Sequence, residues 1–97
     1  MTLSARQRQY LKGLAHSLAP VVRIGQRGVT PAVTGETRNS LEAHELIKVR
    51  VDGDDPATRR AAIEELAQAT ESDIAGVVGK VAILYKARAE KPKIKLP

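Results

Sequence analysis

Five successive apolar residues at positions 81–85 constrain the fold of this chain more than any other feature. Side chains alternate between the faces of a strand, so a strand here is apolar on both faces: Val81, Ile83 and Tyr85 on one, Ala82 and Leu84 on the other. A sheet covered on one side only would not need this pattern. We therefore expect a layer on each side of the sheet, and the first helix, or the linker after it, is expected to cover part of the second face.

Helix-start signals and hydrophobic periodicity give the element order α-β-α-β-α-β-β. Ser4 with Gln7 is a capping-box pattern, and Pro31 and Pro56 each follow a good N-cap residue. The predicted helices cover residues 5–16, 31–43 and 56–71, and the predicted strands cover residues 21–24, 45–51, 74–78 and 81–86. This order predicts an α/β (α+β) fold with one four-stranded mixed sheet and helices packed on it.

A loop with two glycines, Gly25-Gln26-Arg27-Gly28, joins the first strand to the second helix. Glycine can adopt positive φ and lets the backbone approach another molecule closely. Exposed N–H groups beside a helix amino end favour phosphate, and Arg27 adds a cation. Residues 76–79 have the same glycine spacing, but their middle pair is apolar and lies in a strand region. The first loop is therefore the candidate binding site.

Charge is segregated along the chain. The net charge is +5, made of +5 in residues 1–35, −4 in residues 36–85 and +4 in residues 86–97. Such a pattern can build a polyanion-binding face, although basic termini can also serve solubility alone. Tyr10 and Tyr85 are the only aromatic residues, so we expect contacts to phosphate and to RNA shape rather than base stacking. The predicted RNA-binding residues are Gly25, Gln26, Arg27, Gly28, Arg23, Lys12, Lys48 and Arg50.

Several classes of function are disfavoured. The chain has no cysteine, which excludes disulfides and thiolate metal sites and is typical of the cytoplasm. Residues 1–18 lack the apolar core of a signal peptide, and no run is long enough to span a membrane. Neither His16 nor His44 has metal-ligand spacing, and residues 52–55 predict a turn rather than a calcium loop. We expect a monomeric, cytoplasmic, non-enzymatic protein with no cofactor, metal, membrane or small-molecule substrate.

Two other functions stay open. The first is a protein-interaction module that docks on another protein through an acidic helix face formed by Glu64, Glu65, Glu71 and Asp73. The second is a small anion-binding enzyme, for which the chain shows no convergent set of acid, base and nucleophile.

Four motifs, read together, resemble one known family: residues 11–16, 25–28, 44–49 and 78–86. They are similar to the CRM domain, and the chain resembles the stand-alone bacterial YhbY family. The resemblance implies a fold like the carboxy-terminal domain of translation initiation factor three, with a KH-like glycine loop at Gly25 to Gly28 that contacts RNA. It also implies association with precursors of the large ribosomal subunit. A protein-interaction module would then dock on a ribosomal protein or another assembly factor. Residues 1–86 would form the CRM-like domain. Residues 87–97 would form a basic flexible tail, unless Ile94 and Leu96 dock.

Overall fold

The computed structural model describes residues 2–97 and contains three helices and four strands in the predicted order. In chain order they are α1 (Ala5–Ala15), β1 (Pro20–Ile24), α2 (Pro31–His44), β2 (Leu46–Val51), α3 (Pro56–Thr70), β3 (Asp73–Val78) and β4 (Val81–Tyr85). The strands form one mixed sheet in the order β1-β2-β4-β3. Strands β1 and β2 are parallel, and β4 is antiparallel to both of its neighbours. The predicted α+β fold is confirmed.

The predicted helix starts are also confirmed. The Ser4 side chain accepts a hydrogen bond from the Gln7 amide at 3.1 Å, and the Gln7 side chain accepts one from the Ser4 amide at 3.0 Å. The Thr30 hydroxyl accepts from the Val33 amide at 3.1 Å, with Pro31 in the first turn of α2. These bonds satisfy amide groups that have no partner within their own helix.

The sheet separates two hydrophobic clusters. The first cluster lies under α2 and α3 and includes Ala82 and Leu84 of β4. The second lies under α1 and includes Ile83 and Tyr85 of β4. The expectation that the first helix covers the second face of the sheet is thereby confirmed, and it explains why β4 is apolar at consecutive positions.

Glu45 differs from the prediction, which placed it at the start of a strand. It is the C-cap of α2, with a left-handed φ of 62°, and its side chain is fully buried. The carboxylate accepts hydrogen bonds from the main-chain amides of Arg88, Lys93 and Ile94. Sequence periodicity could not show this, because the partners are more than 40 residues away along the chain.

The segment after β4 is packed on the domain through Glu45 and two apolar side chains. Ile94 and Leu96 contact the second hydrophobic cluster. The Arg88 guanidinium donates to the carbonyls of Glu42 and Ala43, at 2.7 and 2.6 Å, and so satisfies the end of α2. Of the two arrangements expected for residues 87–97, the structure has the docked one, while their mobility in solution stays a prediction.

We expect acid to loosen this docked segment. Burial raises the pKa of the Glu45 carboxyl, but the three amide donors and the positive charge of Arg88 outweigh burial, so the pKa lies below its ordinary value of 4.5. A lowered pKa means that the stabilisation is complete above about pH 4.5 and is lost as the pH falls through the lower value in the folded protein. The protection factors of the Lys93 and Ile94 amides should therefore fall in acid. A protection factor compares the observed exchange rate with the intrinsic rate at the same pH.

A matched pair of variants tests this assignment. Glu45→Gln should speed exchange at Lys93 and Ile94 already at neutral pH, because a neutral amide is a weaker acceptor for buried N–H groups. Glu42→Gln, at an exposed position three residues earlier, should leave the exchange unchanged. If Glu45→Gln also leaves it unchanged, the carboxylate does not hold the segment.

Candidate nucleic-acid interface

The Gly25–Gly28 loop is a tight turn that leads directly into α2. The Gly28 amide donates to the Gly25 carbonyl at 3.0 Å, and the Thr30 amide donates to the Gly28 carbonyl at 3.1 Å. Gly28 has a φ of 73°, a conformation that favours glycine. Gly25 does not have positive φ. Of the two loop glycines, only Gly28 adopts the left-handed conformation that the sequence allows for both.

The tip of this loop is open to another molecule. The side chains of Gln26 and Arg27 are exposed. Their main-chain N–H groups, at the middle of the turn, donate to no acceptor within residues 2–97. A Cβ atom placed on Gly25 or Gly28 would meet no atom within 4 Å. The loop therefore presents main-chain donors and a cation at the amino end of a helix, an arrangement that favours phosphate.

Two of the predicted arginines, Arg23 and Arg50, lie beside the loop. Both contact Asp52, which the sequence did not identify as part of the site. Arg23 and Arg50 are register partners on the parallel strands β1 and β2. Both guanidinium groups contact the carboxylate of Asp52, Arg23 at 2.8 Å and Arg50 at 3.7 Å. The two arginines and Asp52 together carry a net charge of +1, so this part of the site is less positive than the sequence predicts.

Lys48 and Lys12 lie further from the loop. Lys48 is two residues before Arg50 on the same strand face, and its Nζ atom is 3.4 Å from the carbonyl oxygen of His16. Lys12 extends from α1 over the edge strand β3, where a Cβ atom on Gly76 would lie 3.0 Å from the Lys12 Cδ atom. Gly76 therefore leaves room for a lysine side chain. The second glycine pair is therefore structural: Gly76 packs against Lys12 within β3, and Gly79 has a φ of 57° in the turn to β4.

The predicted residues thus fall into two groups. The loop, Arg23 and Arg50 lie together at the end of the sheet where β1 and β2 finish, and Lys48 and Lys12 lie beside the carboxyl end of α1. Lys80 is a further cation at the end of the sheet where β1 and β2 finish, because the Val51 amide donates to the Lys80 carbonyl at 2.7 Å. The residue pattern did not identify it, since its position depends on the pairing of β2 with β4.

The acidic surface of the alternative hypothesis is smaller than predicted. Glu64 and Glu65 are exposed on α3, and Glu71 is its C-cap. Asp73, however, lies in β3 opposite Tyr85, so its inclusion in a helix face was wrong. Arg60 is 4.0 Å from Glu64 on the same helix and partly compensates its charge. The acidic residues that remain are Glu64 and Glu65 within α3 and Glu71 at its carboxyl end.

Neither histidine lies in a metal-binding group. His16 is the C-cap of α1, and His44 is the exposed last residue of α2. Across the described part of the chain, His, Asp and Glu form no group of three that could hold a metal ion. None of the helices in residues 2–97 is long and apolar enough to cross a bilayer.

Comparison with known proteins gives consistent matches over almost the whole chain. The CRS1/YhbY (CRM) domain model matches residues 3–86. A Haemophilus influenzae protein named "RNA-binding protein" is 44% identical over 99% of this chain and 96% of its own. The Bacillus subtilis protein YqeI is 32% identical over 98% of this chain and 99% of its own.

A solved structure agrees with the fold. The solution structure of a Staphylococcus aureus protein superposes with a TM-score of 0.87 at 32% identity, and the match covers 99% of this chain and 100% of the other. The residues that carry the resemblance in the sequence, the matched family model and the similar relatives therefore agree, and the chain belongs to the CRS1/YhbY (CRM) domain family.

Proposed function

We propose that this protein binds RNA, that it associates with precursors of the large ribosomal subunit, and that it assists their assembly. One observation carries the RNA-binding part: the loop tip presents unpaired main-chain N–H groups and Arg27 beside Arg23 and Arg50. The family match and the name of the Haemophilus influenzae relative support the same conclusion. The protein would act by binding, without a chemical step.

The loop and its neighbouring cations would hold the RNA backbone. Guanidinium groups and main-chain N–H groups both bind phosphate oxygens well. Lys48 extends the basic surface along β2, and Lys12 extends it across the sheet. Such contacts fix the position of an RNA but carry little sequence information, so binding should tolerate many sequences.

RNA affinity should therefore depend steeply on salt. If Arg23, Arg27, Lys48 and Arg50 each neutralise one phosphate, the plot of log K against log salt concentration should have a slope of about −3 for single-stranded RNA. Fluorescence anisotropy with a short labelled RNA of mixed sequence, over a series of potassium chloride concentrations, measures this slope. A slope near zero would show that phosphate contacts do not drive binding.

The ribosomal part is tested in cell lysate. In a sucrose gradient the protein should sediment with precursors of the large subunit and should be depleted from small-subunit fractions. Treating the lysate with RNase before the gradient separates the two classes of partner. Release from the precursor particles supports an RNA contact, whereas retention on a ribosomal protein would support docking through the acidic end of α3.

A further inference from the structure

A second feature of the molecule is an open groove of about 330 Å³ on the α1 side of the sheet. Helix α1 ends at Ala15 and leaves this part of the sheet uncovered. The groove is lined by Lys12, His16, Pro20, Lys48, Val78, Val81 and Ile83. Its volume lies at the lower end of the range for small-molecule sites, which suits one planar group rather than several.

The floor of this groove is apolar and accessible. Val78 is 62% exposed, which is unusual for a valine in a sheet, and Val81 beside it is half-buried. The two valines are register partners on β3 and β4. Ile83, two residues after Val81, continues the floor towards the second hydrophobic cluster.

The rim of the groove is cationic. Lys12 enters from α1, and Lys48 enters from β2, where its Nζ atom lies 3.4 Å from the His16 carbonyl oxygen. His16 is the one lining residue with a planar side chain, an imidazole. An apolar floor between two ammonium groups is complementary to a ligand that has a flat, weakly polar body and anionic groups on either side, as a nucleotide in an RNA strand has.

The groove lies on the same face of the sheet as Arg23 and Arg50. Strand pairing places Arg23, Arg50, Val81 and Val78 in one row across the four strands. Neighbouring strands are about 4.8 Å apart, so the two arginines lie about 5 to 15 Å from the two valines. A strand of RNA whose phosphates contact the loop and the arginines can therefore place its next nucleotides over the groove.

We infer that this groove holds one unpaired nucleobase, with Lys12 and Lys48 on the adjacent phosphates, and that the protein thereby selects single-stranded over double-stranded RNA. The inference rests on the proposed RNA-binding function and adds a class of ligand to it. Bases in a duplex are stacked and paired and cannot enter, whereas unpaired bases can lie on an apolar floor or against a histidine ring. The floor has no hydrogen-bonding group, so it should accept any base.

Two variants test the groove without touching the loop. Val78→Ser removes apolar surface from an exposed position, and His16→Ala removes the ring while keeping the carbonyl that Lys48 contacts. Each should weaken binding of a single-stranded oligouridine by about three- to tenfold and leave binding of an RNA duplex of equal length unchanged. Val21→Ser, which alters an exposed valine of β1 outside the groove, is the control and should change neither affinity.

The possible results distinguish failure of the groove inference from failure of the proposed RNA-binding function. If Val78→Ser and His16→Ala leave oligouridine binding unchanged, or weaken both RNAs equally, the groove does not hold a base. The salt dependence of the wild-type protein would still decide whether it binds RNA through phosphate contacts. Circular dichroism of each variant should match that of the wild type, since the altered side chains are exposed.

Discussion

Arg27→Glu is expected to reduce the affinity for single-stranded RNA about 10- to 100-fold at low salt. Arg27 is exposed at the tip of the loop. A hydrogen bond from a guanidinium to a phosphate contributes about 1.5–3 kcal/mol, and the new carboxylate adds repulsion. Because the side chain has no hydrogen-bond or ion-pair partner within residues 2–97, the circular dichroism spectrum should not change.

A charge-matched control distinguishes a loop effect from general electrostatics. Arg6→Glu makes the same change of charge on an exposed residue in the first turn of α1, at the opposite end of that helix from the groove. It should reduce affinity less than threefold at moderate salt, because screening limits interactions beyond about 10 Å. Equal losses for the two variants would mean that net charge, and not the loop, sets the affinity.

Gly28→Asp gives a second test of the same loop. Gly28 has a φ of 73°, so any side chain there is strained, and aspartate also introduces a negative charge beside the N–H donors. A Cβ atom would meet nothing within 4 Å, so the rest of the fold should tolerate the change. RNA affinity should fall at least tenfold, with the melting temperature lowered by only a few degrees.

Leu11→Ala is expected to lower the free energy of unfolding by about 2–5 kcal/mol. Leu11 has no exposed surface and lies in the second hydrophobic cluster with Ala15 of the same helix. It is the largest buried side chain that α1 contributes. Because the free energy of unfolding of a small domain is about 5–15 kcal/mol, this loss would be a large part of the total stability. Urea unfolding followed by circular dichroism measures it.

Leu14→Ala is the matched control, since it makes the same change three residues later in the same helix. Leu14 is 41% exposed, so the substitution should cost less than about 1 kcal/mol. Similar losses for Leu11→Ala and Leu14→Ala would show that α1 is not anchored on the second face of the sheet. The groove would then lack its wall, because Lys12 and His16 are placed by this helix.

Local sequence chemistry was sufficient to predict the class of fold and the order of the elements along the chain, but not the order of the strands in the sheet. The proline and N-cap pairs at Thr30 and Asp55 mark helix starts, because they act on amide groups within one turn. The apolar run at 81–85 predicted layers on both faces of the sheet, because side-chain direction in a strand alternates at every residue. These signals need no knowledge of which strands are neighbours.

The candidate site was only partly predictable, because its remaining features depend on strand register and on distant contacts. Asp52 was interpreted as a turn residue, but the parallel pairing of β1 with β2 places it against Arg23 and Arg50. The apolar pair in the second glycine motif predicts only a strand at Val78, and its exposure follows from where α1 ends. The sequence likewise predicts a strand at Glu45, because the residues that hold its side chain, 88–94, are distant along the chain.

Whether the Gly25–Gly28 loop contacts RNA is tested most directly by titrating the ¹⁵N-labelled protein with a single-stranded oligouridine and following the amide signals by NMR. We expect the largest amide shifts at Gln26, Arg27 and Gly28, with further shifts at Lys48 and Val78. The amides of Glu64 and Glu65 on α3 should not move. Shifts confined to α3, with no change at the amides of residues 25–28, would show that the loop does not contact RNA.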